Sequence, residues 1–200
     1  MAAHSRYDVS GDASEGVLKN KLKITDQQRL ENTETLLLED AYTYFFELLK
    51  IGSMDFNADL ILQIHHYFLT TLYTWAGTTR TVNLSKGTIL FCPHSQIKDQ
   101  LKKFKKILKQ NIPTSKSNKR TVSEKLAVIH CEFNAIHPFR EGNGRTIRLF
   151  LDLIAAQCGF SGIDYGKNSK NSYIKACIAG MSKNYAPMQK IIQKGLAALR

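Results

Sequence analysis

His137-Pro138-Phe139-Arg140-Glu141-Gly142-Asn143-Gly144-Arg145-Thr146 is the stretch on which the reading of this 200-residue chain turns. It puts an imidazole, a carboxylate, a glycine-framed turn and two guanidiniums into one short run. Before it, Thr121 to Ile136 is apolar at helical spacing; after it, Gly144 to Cys158 is apolar nearly all round. A helix of the second kind sits at the buried centre of a bundle. The run is therefore a loop held between two packed helices.

Working outward, Thr25 or Asp26 caps a first helix to about Lys50, along which Leu30, Thr33, Leu37, Ala41, Tyr44 and Leu48 step by three and four. Ile51-Gly52-Ser53 ends it. Asn57 caps a second helix through Leu60, Ile61, Ile64, Phe68 and Leu72. Between Thr79 and Cys92 the period alternates. Thr81–Leu84 and Thr88–Phe91 flank Ser85-Lys86-Gly87, a hairpin with Gly87 in the left-handed position of a three-residue loop. A third helix spans about Ser95 to Gln110, and Thr121-Val122-Ser123-Glu124 forms a capping box opening a fourth. The fifth follows the loop, and two shorter ones lie near 169–183 and 186–199. The class is all-α, about seven helices with one small β-hairpin: a loose arm over residues 1–20 and one domain over 21–200.

With 43% hydrophobic residues, one domain of this length buries a core without staples. Cys92, Cys131, Cys158 and Cys177 show no metal or redox spacing, which suits idle thiols in a reducing compartment. No signal-peptide pattern or membrane-spanning run is present, so a cytoplasmic location is expected. The net charge is +11, and Lys102, Lys103, Lys105, Lys106 and Lys109 interleave with Leu101, Phe104, Ile107 and Leu108. These lysines read as the solvated back of an amphipathic helix; a surface for an acidic partner is the other reading. Neither direct nucleic-acid binding nor a membrane partner is expected.

The loop's chemistry follows from its two ends. Gly142-Asn143-Gly144 opens the fifth helix, where free N–H groups and the helix dipole favour an anion. The glycines leave room for a phosphate, Asn143 adds an amide donor, and Arg145 and Arg148 reach one side of the first turn. His137 closes the fourth helix, where the negative dipole end increases imidazole proton affinity. A hydroxyl between the two ends can lose its proton to His137 while attacking phosphorus. Glu141 is the loop's one carboxylate and suits a Mg²⁺ that bridges phosphates. The structural alternative is a plain helix–turn–helix connection with Asn143 as cap.

The run from His137 to Thr146, continued by Ile147-Arg148, resembles the signature of the Fic domain family, with every defining position filled. The resemblance extends from the first helix to about residue 185 and implies a small helical bundle with a hairpin flap over its active site. It also implies protein adenylyltransferase activity: AMP passes from ATP to a target Ser, Thr or Tyr hydroxyl, and pyrophosphate leaves. On these positions His137 would be the base and Glu141 the Mg²⁺ ligand. Gly142, Asn143, Gly144 and Arg145 would hold phosphates, and Arg148 would grip the γ-phosphate. Asn168 and Tyr173 fall where such domains line the base pocket. Thr88, Ile89, Leu90 and Phe91 match the flap strand on which a target segment is held.

Many Fic proteins carry an inhibitory helix, Ser/Thr-x-x-x-Glu-Gly/Asn, whose glutamate pairs with the second arginine. Glu15-Gly16 and Glu31-Asn32 here lack the preceding Ser or Thr, and Thr35 to Glu39 ends in Asp40. With the Ile24-Thr25-Asp26-Gln27 opening, this resembles the toxin–antitoxin branch, in which a small antitoxin supplies the helix. The competing functions are a non-catalytic nucleotide- or nucleic-acid-binding module and a Fic enzyme that removes AMP.

Overall fold

The computed structural model describes residues 8–9, 17–52, 54–86 and 89–199. Asp26, not Thr25, caps the first helix by accepting the Arg29 N–H at 2.7 Å, and α1 runs Gln27–Ile51. Asn57 takes the N–H groups of Asp59 and Leu60 to open α2, Ala58–Leu69. A 3₁₀ turn, His94–Gln96, leads into α3, Ile97–Asn111. The fourth helix, α4, starts earlier than the capping box predicts: it spans Lys119–Ile136, and Asn118 accepts the Thr121 N–H at 2.9 Å. Asn is the stronger N-cap residue of the two, and a start at Asn118 brings Lys119, Arg120 and Thr121 into the helix. Then come α5 at Asn143–Gln157, α6 at Lys170–Met181 and α7 at Ala186–Gly195.

Helix α5 is the axis of the bundle, packed on α1, α2 and α4, while α4 carries α3, α6 and α7 on its other sides. Ile147, Leu149, Phe150, Leu151, Leu153 and Ile154 of α5 are all buried, as its all-round apolar sequence predicts. The stripe on α1 is displaced from the predicted one. Leu30, Glu34, Ala41 and Phe45 are buried, whereas Tyr44 and Leu48 lie exposed. The lysines of α3 face solvent over buried Phe104 and Leu108.

The hairpin is shorter and shifted. Strand β2 is Leu84–Lys86 and β3 is Ile89–Leu90, with Ser85 opposite Leu90 and Lys86 opposite Ile89. Ser85 and Lys86 thus belong to a strand, not to the loop; Gly87 and Thr88 lie outside the described residues, as does Ser53. A further strand, β1 at Asp8–Val9, pairs antiparallel with the outer side of β2, so the sheet order is β1-β2-β3. Residues 17–20, expected in the loose arm, are tied down. Val17 and Leu18 pack on the core, and the Asn20 amide donates to the carbonyls of Leu18 and Ile24. The remainder of that arm, 1–7 and 10–16, lies outside the described residues. Among the described residues no helix is long and apolar enough to cross a membrane.

Candidate active site

Helix α4 ends where His137 adopts the left-handed conformation, φ 50° and ψ 59°. That region is costly for a residue with a Cβ, so surrounding bonds must hold it there. Its Nδ1 faces the Asn134 carbonyl at 3.3 Å. A carbonyl only accepts, so Nδ1 carries the proton and Nε2 carries the lone pair. The ring of Phe91 stacks on the imidazole at 3.9 Å, and His137 is only 4% exposed. Burial pushes its pKa down to about 3; the Asn134 bond opposes this, and the charges of Arg80 and Lys86 add to it. The increased proton affinity expected from the helix dipole is therefore overturned. Desolvation of a buried cation outweighs a dipole contribution of about 0.3–1 kcal/mol.

The loop beyond His137 is closed by Asn143, whose Oδ1 accepts the Phe139 N–H while its Nδ2 donates to the Phe139 carbonyl, both at 2.8 Å. The amide oxygen and one Nδ2–H are thus engaged by the loop, which fixes the side chain while the second Nδ2–H and the backbone N–H stay available as donors. Phe139 is fully buried, stacked on His65 of α2 at 3.7 Å. His65 accepts the Gly77 N–H at Nδ1, 2.8 Å, so its Nε2–H donates to the Glu141 carbonyl at 3.0 Å. Burial pushes the His65 pKa down to about 4, which keeps this tautomer intact at neutral pH. Gly142 follows with φ 80°, and a Cβ there would stand 2.8 Å from Leu69 Cδ1.

No side chain caps α5, and a Cβ at Gly144 would meet nothing within 4 Å. The first turn is thus open on the side where an anion would sit. Glu141 is buried, and its Oε1 accepts the Gly142 N–H at 2.8 Å and lies 3.3 Å from the Arg145 guanidinium. Arg145 also pairs with buried Glu34 of α1 at 2.7 Å, and Glu34 accepts the Tyr73 hydroxyl at 2.7 Å. Arg145, expected at the phosphates, is therefore engaged by two carboxylates and steadies Glu141. Arg148 donates from Nε to the Gly144 carbonyl at 3.1 Å and stands 5.7 Å from the Tyr165 ring centroid. It makes no ion pair among the described residues. Those residues hold no cluster of three or more His, Cys, Asp or Glu fit for a metal. A single hard carboxylate beside an open helix N-terminus instead fits a cation that arrives already bound to phosphates.

Asn168 lies just before α6, and Tyr173 lies in its first turn. Ser169 caps that helix, and the Asn168 Nδ2 is buried with no hydrogen-bond partner among the described residues. Tyr173 meets His130 Nε2 at 2.9 Å and packs edge-on to Tyr165 at 5.6 Å. On the flap, Ile89 and Leu90 form β3, the side of the sheet that β1 leaves open. Leu90 is 77% exposed, whereas Phe91 turns inward onto His137. Phe91, the last residue of the expected flap strand, closes the hairpin through its N–H, which donates to the Leu84 carbonyl.

Sequence reasoning missed Glu34, Tyr73, His65 and Arg80. Arg80 is 5% exposed and donates to the carbonyls of His137, Val82, Cys92 and Ile136. The one available signal was Glu34, a carboxylate four positions after Leu30 and on its stripe.

Residues 55–155 match the model of the Fic/DOC family. Protein adenylyltransferase VbhT of Bartonella schoenbuchensis is 32% identical over 94% of this chain, which spans 39% of that relative's length. A probable protein adenylyltransferase, y4lH of Sinorhizobium fredii, is 31% identical over 89% of this chain and 90% of its own. Among solved structures, BepC of Bartonella tribocorum with bound AMPPNP superposes with a TM-score of 0.76 at 24% identity, covering 94% of this chain and 96% of that one. The N-terminal domain of Bep8 from Bartonella sp. 1-1C gives 0.77 at 23% identity, covering 92% and 93%. With the loop, bundle and flap described above, the match assigns this chain to the Fic/DOC family.

Proposed function

We propose that the chain is a protein adenylyltransferase, moving AMP from ATP to a hydroxyl of a target protein and releasing pyrophosphate. The observation that carries this reading is the pairing, on one clamped loop, of a neutral His137 whose lone pair is on Nε2 with the open first turn of α5. The relatives named adenylyltransferases support it. In the reaction the target hydroxyl gives its proton to Nε2 as its oxygen attacks the α-phosphorus. The bond from that phosphorus to the bridging oxygen breaks, and its electron pair leaves with pyrophosphate. The N–H groups at the start of α5 and the Arg148 guanidinium hold phosphate charge. Glu141 would hold a Mg²⁺, which supplies charge neutralisation on the leaving group. The side of the sheet left open by β1 makes β3 the edge to which a target strand adds.

That Arg148 makes no ion pair among the described residues also supports restraint by a separate antitoxin whose glutamate would take that guanidinium. Cytoplasmic action as a toxin or effector belongs to the same reading. Peptide mass spectrometry of lysate treated with chain and ATP tests the activity. Serine, threonine or tyrosine carrying AMP is expected, and its absence from the His137→Ala sample; an unmodified lysate overturns the reading. Co-expression with a small helical protein carrying Ser/Thr-x-x-x-Glu-Gly/Asn tests the restraint, with a stable complex and lost labelling as the expected result.

A further inference from the structure

Arg80 precedes the hairpin, at a point where the sequence shows only Thr78-Thr79-Arg80-Thr81. Its guanidinium is buried, yet every acceptor it meets is a backbone carbonyl. Two of these, Ile136 at 3.3 Å and His137 at 2.8 Å, are the last carbonyls of α4, which have no partner inside the helix. A cation at that negative end is favourable, so Arg80 serves as the C-terminal cap of the helix that carries the imidazole. The other two, Val82 at 2.6 Å and Cys92 at 2.5 Å, belong to the two legs of the flap. The Arg80 N–H adds a bond to the Pro138 carbonyl at 2.8 Å, and the Cys92 N–H reaches the Ala135 carbonyl at 3.3 Å.

One side chain thus ties both legs of the hairpin to the backbone on either side of His137. The tie also bears on the left-handed conformation of His137, since a strained residue persists only where several bonds determine it. A planar fork with fixed donor directions can satisfy four carbonyls at set angles, which a lysine ammonium on a flexible stem does not reproduce.

We infer that Arg80 is a positioning residue for the transfer: it fixes the register between the target-binding edge β3 and the imidazole, so that a hydroxyl presented on the flap arrives at His137. The inference rests on the proposed AMP transfer. It predicts that nucleotide binding and target modification respond separately, because Arg80 touches the flap and the end of α4 but not the first turn of α5.

The test compares wild type with Arg80→Lys. Three quantities are measured: affinity for AMPPNP with Mg²⁺ by calorimetry, amide exchange of Leu84 to Cys92, and AMP incorporation into lysate proteins from α-labelled ATP. The expected result for the variant is AMPPNP affinity within about twofold, flap exchange at least about tenfold faster, and labelling reduced at least about tenfold. Wild-type labelling with unchanged flap exchange in a folded variant overturns the inference. Equal losses of nucleotide affinity and labelling also overturn it, since they mark general structural damage. If wild type itself does not label proteins but the flap of the variant loosens, the AMP-transfer reading fails while the coupling of flap to loop stands.

Native-state exchange on the wild type gives a second check should Arg80→Lys not fold. The amides of Arg80, Phe91, Cys92 and His137, which donate to Pro138, Leu84, Ala135 and Phe133, are expected to open together. Opening of Phe91 and Cys92 independently of His137 contradicts the coupling.

Discussion

Replacing Phe91 by alanine removes the ring that covers His137, and burial is the largest cause of that imidazole's low pKa. The substitution is expected to raise the His137 pKa from about 3 toward the ordinary 6.5, which NMR titration of the imidazole reads directly. An unchanged titration would mean that the ring contributes nothing to the desolvation. Glu34 sets a second residue-scale expectation. It is buried, paired with Arg145 and bonded to Tyr73. Glu34→Ala leaves a guanidinium shielded from water with one acceptor in place of two, and is expected to cost about 3 kcal/mol in urea unfolding. It should also weaken binding of Mg²⁺ with AMPPNP, because Arg145 then pulls on Glu141 alone. Loss below about 0.5 kcal/mol would show the strut to be a surface-like pair.

At the scale of elements, the start of α5 is set by its fit against α2. Gly142 takes φ 80° beneath Leu69 and His65, so Gly142→Ala combines a left-handed alanine with a 2.8 Å approach to Leu69 Cδ1. The expected cost is about 1–3 kcal/mol, with AMPPNP affinity falling as the first turn shifts; full affinity at wild-type stability contradicts it. The order of helices was legible in the sequence because apolar spacing records which face each one buries. What escaped was decided by atoms distant in sequence. The α1 stripe was read through Tyr44 and Leu48, yet Phe45 is the buried aromatic and Glu34 lies on the inner face because Arg145 and Tyr73 await it. The hairpin register moved because Phe91 is drawn onto His137 and Cys92 onto the end of α4, contacts that alternation alone does not encode. The loop's position between two packed helices was legible, but the Asn143 and Arg145 side chains turn toward protein groups that lie across the motif or outside it.

Across the molecule, among the described residues, three histidines are buried with low pKa values: His65 at about 4, His130 at about 3 and His137 at about 3, with burial the first cause in each. Unfolded, each takes up a proton below about 6.5, so between that pH and its folded value the unfolded chain binds more protons. Stability is therefore complete above about 6.5 and falls as pH drops, by about 1.4 kcal/mol per pH unit for each histidine. Asp152 acts in the opposite sense. Burial raises its pKa to about 6, so the folded chain binds the extra proton between there and 3.8 and offsets one histidine's share. Urea unfolding is expected to show clearly lower stability at pH 5 than at pH 7, and equal stability would contradict the burial of these rings. The most direct measurement of the central claim uses lysate and ATP labelled at either the α- or the γ-phosphate, with wild type and His137→Ala. Label reaching protein from the α position alone, and vanishing in the variant, is the predicted result. Transfer from the γ position, or α-labelling that survives loss of the imidazole, contradicts it.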